Sequence, residues 1–378
     1  MLRAGLLGLI FTAVAVAAPP RPVAQLAPAS LPASLTDAQF WKLSGDLSES
    51  PGYFRSENLV SNEQTYQYVL PELRQTVRPG GVYMGVAPDQ NFTYIVATQP
   101  RMAFIVDIRR GNLLQHLMYK ALFELSTDRA EFVSRLFAKP RPAGLRAKTP
   151  VVDLFSAYAR VETSEVLYRA NLQAVINRLT KVRGFALSSA DLEQLESIYF
   201  AFFWQGPSVR YSTIASGMGG RRSGGGFPTY EEMIIQTDWE GTPRSYLASE
   251  ENFRLIKSMQ EKNLIVPVMG NFAGAKAIRA VGRYARERGA RVSAFYVSNV
   301  EQYLFQDGLF DDFARNVATL PIDDRSTFIR SVSARFGYGG TKTWTDGRAS
   351  ALYPIGQFNR DFQLGLLRTY YDVTSRSK

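Results

Sequence analysis

Two short apolar runs with one helix-length segment between them constrain this chain more than any other feature. Val82-Tyr83-Met84-Gly85-Val86 reads as a buried strand, Pro88 opens a helix, and Met102-Ala103-Phe104-Ile105-Val106-Asp107 reads as a second strand. Continuous apolar runs of this length suit strands covered on both faces, and the intervening helix makes the pair a βαβ unit of a parallel sheet with a right-handed crossover. The pattern returns at Leu264–Asn271, in a helix over Ala273–Arg288 and in a strand over Val292–Val297, where Ser298-Asn299-Val300-Glu301 opens another helix. The expected fold is α/β, a Rossmann-like, mostly parallel sheet.

Between the two sheet-forming stretches, residues 126–262 carry helical periodicity over Arg129–Phe137, Glu162–Val182, Ser188–Trp204 and Ser249–Lys262. They read as a large helical insertion in one α/β domain spanning 36–331, with 332–378 as a C-terminal extension whose aromatic residues argue for packing on the core. Thr36 and Gln39 form a capping-box pattern before Phe40 and Trp41. Ser61 and Gln64 repeat it before a helix ending near Arg74.

Met1-Leu2-Arg3, an apolar stretch to Ala18 and an Ala15-x-Ala17 site follow the grammar of a signal peptide over 1–18, so the chain is expected to be exported, periplasmic or secreted. Residues 19–35, rich in Pro and Ala, read as a flexible tether. No later segment is apolar enough to span a membrane.

Composition narrows the chemistry. With 46% hydrophobic residues among 378 the chain has ample core. With no cysteine and a single histidine, His116, thiol chemistry, disulfides and a multi-histidine metal site are excluded. A formal net charge of +10 suits an anionic partner, but basicity alone does not identify nucleic acid. Lys276, Arg279, Arg283 and Arg286 recur at helical spacing without the aromatic interleaving of a nucleic-acid module, and read as a solvated basic face. The run 216–226 has the composition of a phosphate loop without its spacing and reads as a surface loop.

Function is sought at the carboxyl ends of the strands, where open α/β sheets bind ligands. Asp107 follows Gly85 at roughly the 20-residue spacing that sets an acid on ribose hydroxyls; it would otherwise cap the next turn. Gly85 would allow close backbone approach, and Asp89, Asn91 and Arg109 join it and Asp107 as cofactor-binding candidates. Pro88 removes an amide donor and Asp89 adds negative charge at the helix start, which disfavours pyrophosphate and favours a phosphate-free nucleoside such as S-adenosylmethionine over NAD or FAD. Asn271, Asn299 and Glu301 are the catalytic candidates, and with Ser298 each also suits a helix cap. His116 and Lys120 lie four apart on the helix after Asp107, where they would line a pocket or form a solvated face.

Gly-Val-Ala-Pro-Asp-Gln-Asn-Phe-Thr-Tyr (85–94), Asp-Ile-Arg-Arg (107–110), His-Leu-Met-Tyr-Lys-Ala-Leu-Phe-Glu (116–124) and Phe-Tyr-Val-Ser-Asn-Val-Glu-Gln-Tyr-Leu-Phe (295–305) together resemble a family of uncharacterised bacterial proteins met in leptospires. The resemblance spans roughly Phe40 to Ser331 and implies a core similar to S-adenosylmethionine-dependent methyltransferases, with no established activity. Where that family has a second glycine and an acid, this chain has Ala87 and Asn271, departures that weaken tight cofactor binding and an essential acid at 271. Two functions follow as expectations: a methyltransferase-like enzyme, or a non-catalytic cell-envelope protein binding a small molecule or a protein partner. A hydrolase using Glu63 or Glu301 as base is a third.

Overall fold

The computed structural model describes residues 30–212, 227–333 and 348–377. The expected signal peptide and the glycine-rich run 216–226 lie outside the described residues. Helix α1 (Asp37–Leu47) starts at the expected capping box: the Thr36 hydroxyl accepts from the Gln39 amide at 3.2 Å, and the Gln39 side chain accepts from the Thr36 amide at 2.9 Å. The part of the expected tether that is described is held to the body. Leu31 is buried, and the Leu35 amide donates to the Lys262 carbonyl at 3.0 Å. The second capping-box reading fails, because the Ser61 hydroxyl accepts from the Glu63 amide and regular structure begins only with a 3-10 turn at Tyr66–Val69, followed by α2 (Leu70–Thr76).

The βαβ unit forms as read, with β1 (Val82–Gly85), α3 (Gln90–Thr98) and β2 (Met102–Asp107), and Val82 paired with Met102 in parallel register. Helices follow: α4 (Arg110–Leu125), α5 (Arg129–Phe137), α6 (Val151–Ala159), α7 (Glu165–Asn177), α8 (Ser189–Gln205), α9 (Tyr230–Ile235) and α10 (Glu250–Glu261). The chain then returns to the sheet through β3 (Ile265–Met269), α11 (Ala277–Glu287), β4 (Val292–Ser298), α12 (Val300–Gln306) and α13 (Phe310–Val317). It closes with β5 (Thr327–Ser333), β6 (Arg348–Pro354), α14 (Ile355–Gln363) and α15 (Tyr370–Ser375).

The strand order is β3-β2-β1-β4-β5-β6; only β6 is antiparallel to its neighbour. Every residue of β1 and β2 is buried, as a sheet covered on both faces requires. The architecture is therefore a Rossmann-like α/β fold with a mostly parallel sheet. A boundary at 331 would cut β5, and the expected extension supplies β6, so the last stretch is part of the sheet itself.

Helix α4 departs from expectation. It packs between the sheet and the helices α8 and α10, so His116 and Lys120 are buried rather than solvated. Lys120 is neutralised internally: its Nζ meets Glu124 at 2.9 Å and donates to the Gln260 carbonyl, while Glu124 also meets Arg183 at 2.9 Å. The basic face on α11 is exposed as read. No described helix is long and apolar enough to cross a membrane.

Candidate functional site

The order in which strands are added switches sides between the parallel strands β1 and β4: the first three strands are laid outward on one side, β4 and β5 on the other. The loops leaving the strand ends diverge there and open a crevice. A cavity of about 150 Å³ fills it, walled by Ala87 after β1, Asp107 at the end of β2 and Arg109 beyond it, Asn271 after β3, and Ser298 and Asn299 at the end of β4. The coil before the 3-10 turn covers it with Tyr53, Phe54, Asn58, Ser61 and Asn62. A wider groove of about 880 Å³ adjoins it, shares Tyr53, Phe54 and Arg109, and carries the exposed rings of Phe200 and Trp204.

Four of the candidates read from sequence thus meet at one cavity: Asp107, Arg109, Asn271 and Asn299. Asp107 is already engaged. The Arg109 guanidinium forks onto its carboxylate, Nε to Oδ1 at 3.0 Å and Nη2 to Oδ2 at 2.9 Å, and the Arg109 amide adds a bond to Oδ1 at 2.9 Å. The turn-capping role is therefore present, and Oδ2 retains more acceptor capacity than Oδ1. The third arm of the guanidinium, Nη1, donates to the carbonyls of Ser56 and Glu57, tying the covering coil to the end of β2.

The other four candidates, Gly85, Asp89, Asn91 and Glu301, lie off the cavity wall, each satisfied inside the scaffold. Asn91 folds back on the turn after β1: its Nδ2 donates to the carbonyls of Val86, Ala87 and Pro88 at 2.8, 3.0 and 2.7 Å, and its Oδ1 accepts from the Tyr83 hydroxyl at 2.9 Å. Gly85 is glycine for this contact, since a Cβ there would fall 1.9 Å from Asn91 Oδ1. The same turn holds Ala87 at φ +65°, the left-handed conformation that favours glycine. His116 Nε2 donates to the Ala87 carbonyl at 2.9 Å, and burial pushes its pKa down to about 4, so the ring is neutral.

Asp89 points into the core, where the Tyr246 hydroxyl donates to it at 3.3 Å and burial pushes its carboxyl up to about 7. Glu301 is bound through both oxygens by Arg330. Burying a charge without a partner is costly, and Asp89 and Glu301 each meet a partner inside the fold.

Glu63 is the group that sequence reasoning undervalued. It is fully buried behind the cavity and accepts four hydrogen bonds: Oε1 from Tyr296 at 2.6 Å and Ser298 at 2.8 Å, Oε2 from Gln90 at 3.1 Å and Ser350 at 2.9 Å. Its only local signal is an acid between the apolar pair Leu59-Val60 and Tyr66. Ser298 itself has φ +51°, a left-handed backbone rare for a residue other than Gly, Asn or Asp. Among the described residues no cluster of three or more His, Asp or Glu side chains is arranged to hold a metal ion.

A family model described as a domain of unknown function, DUF7790, matches residues 58–184 and 221–363 of the chain. No curated protein matches it.

Proposed function

Since the chain belongs to the DUF7790 family, a domain of unknown function, its role has to be read from the cavity, and we propose that it binds a small nucleoside-type ligand there, S-adenosylmethionine or a close relative. The observation that carries this reading is the convergence of Asp107, Asn271 and Asn299 on one cavity at the switch point of a parallel sheet. Among the described residues the lining combines amide, aromatic and aliphatic side chains with the carboxylates of Asp107 and Asp307, and its one guanidinium, Arg109, is committed to Asp107. That favours a ligand without phosphate. At about 150 Å³ the cavity is smaller than the roughly 300–1,000 Å³ usual for a whole small molecule, so it takes one ring or sugar while the remainder extends into the adjoining groove. Methyl transfer would need little beyond alignment of an acceptor near Asn271 and Asn299.

A second reading is a non-catalytic envelope protein that reuses the fold for another small ligand or a protein partner. The Arg109 fork favours it, because a sugar would have to share the Asp107 carboxylate. Export, read from the N-terminus, favours it as well, since the cofactor is expected in the cytoplasm. Calorimetric and thermal-shift titration with S-adenosylmethionine, S-adenosylhomocysteine, adenosine and NAD separates the two. Saturable stabilisation by the first three, weakened at least tenfold in Asp107→Asn, supports nucleoside binding. The absence of any shift, or equal affinity in the variant, removes it.

A further inference from the structure

Ser298 stands where β4 turns sharply into α12, with a left-handed backbone at φ +51°, a place in the cavity lining and its Oγ 2.8 Å from Glu63 Oε1. A serine hydroxyl is a poor nucleophile until a base within hydrogen-bond reach takes its proton, and that base must itself be held in place. Glu63 meets both conditions, because Tyr296, Gln90 and Ser350 fix its carboxylate from three other directions. The strained turn presents the hydroxyl at the top of the sheet, as the strand-to-helix elbow of esterases does, although Tyr296 and Val300 occupy the positions where that elbow has glycines. Asn62, Asn271 and Asn299 line the same cavity, and although one Asn299 Nδ2 hydrogen goes to Gln302 at 3.3 Å, their amides carry the kind of N–H donor that a developing oxyanion needs.

From this geometry we infer that Ser298 and Glu63 form a nucleophile–base dyad that hydrolyses small carboxylic esters. Ser298 Oγ bonds to the carbonyl carbon as its proton passes to Glu63 Oε1. Collapse breaks the ester C–O bond, the proton returns to the departing alkoxide, and an alcohol and an acyl-Ser298 ester remain. Water then attacks the acyl carbon and gives its proton to Glu63, which passes it to Ser298 Oγ as the acid leaves, so ester and water become acid and alcohol. The cavity limits the acyl portion to a short chain, and the alcohol portion faces Tyr53 and Phe54 toward the groove.

The test is incubation of the full chain with a fluorescent fluorophosphonate, followed by mass-spectrometric mapping of the adduct. One adduct per chain on the peptide holding Ser298, absent in Ser298→Ala and formed roughly 100-fold more slowly in Glu63→Gln, is the expected result. No adduct on the wild-type protein, or an adduct that persists in Ser298→Ala, overturns the inference. Should Glu63→Gln not fold, wild-type mapping and Ser298→Ala still decide it. Nucleoside titration of Ser298→Ala reports on ligand binding separately, so failure of one reading is distinguishable from failure of the other.

Discussion

The guanidinium of Arg330 meets the carboxylate of Glu301 at 2.5 and 2.9 Å, with neither side chain more than 1% exposed. The rings of Phe328, Tyr353 and Phe358 surround the cation at 4.3, 4.8 and 5.3 Å. This pair joins α12 to β5, and its removal from one side leaves a buried charge alone. Arg330→Met should lose about 3–5 kcal/mol of stability in urea unfolding. Adding Glu301→Gln should recover more than half of that loss, and a double variant no better than the single one would contradict a pairing role.

The turn after β1 makes opposite predictions at two nearby positions. Gly85→Ala forces Asn91 off its three carbonyls and should destabilise the fold by about 2–4 kcal/mol, the scale of overpacking plus lost buried hydrogen bonds. Ala87→Gly relieves a left-handed alanine and should stabilise it by about 0.5–1 kcal/mol. Urea midpoints moving in the same direction for both would contradict the geometry.

His116 and Asp89 give pH dependences of opposite sign. The His116 pKa falls on folding from 6.5 to about 4, so its contribution is complete above pH 6.5 and is lost as pH drops toward 4. The Asp89 pKa rises from 3.8 to about 7, so its contribution is present below pH 3.8 and is lost as pH rises through 7. Between pH 4 and 6.5 the two slopes offset. In Asp89→Asn the melting temperature should climb steadily over that range and exceed that of the wild type at pH 8, by roughly 1–3 kcal/mol in stability. Parallel profiles for the two proteins would remove Asp89 as the titrating group.

Arg109 fastens the coil over the cavity through the carbonyls of Ser56 and Glu57. Lysine cannot fork onto Asp107 while reaching both carbonyls. Arg109→Lys should therefore speed amide exchange across residues 51–58 at least tenfold and leave β1 and β2 unchanged, as mass-resolved hydrogen exchange would read. Equal exchange in the coil would show that other contacts hold it.

What the sequence determined by itself is local. The apolar runs of β1 and β2, the Thr36 capping box and the span of α5 from Arg129 to Phe137 follow from periodicity and backbone hydrogen bonding among near neighbours. The position of Asp107, Asn271 and Asn299 at strand ends follows from the same pattern, and it was enough to find the cavity. Tertiary structure decided which polar groups face that cavity. Lys120 reads as a pocket-lining or solvated residue until the fold sets it against Glu124, the Gln260 carbonyl and the Phe40 ring. Arg330 hides β5 by putting a charge among Phe328, Ile329 and Val332, which Glu301 and the surrounding rings make tolerable. Glu63 draws donors from Tyr296, Ser298 and Ser350, all more than 200 residues away along the chain. A buried polar group must be satisfied, but the partner that satisfies it is chosen by the fold in three dimensions, and no local pattern records that choice.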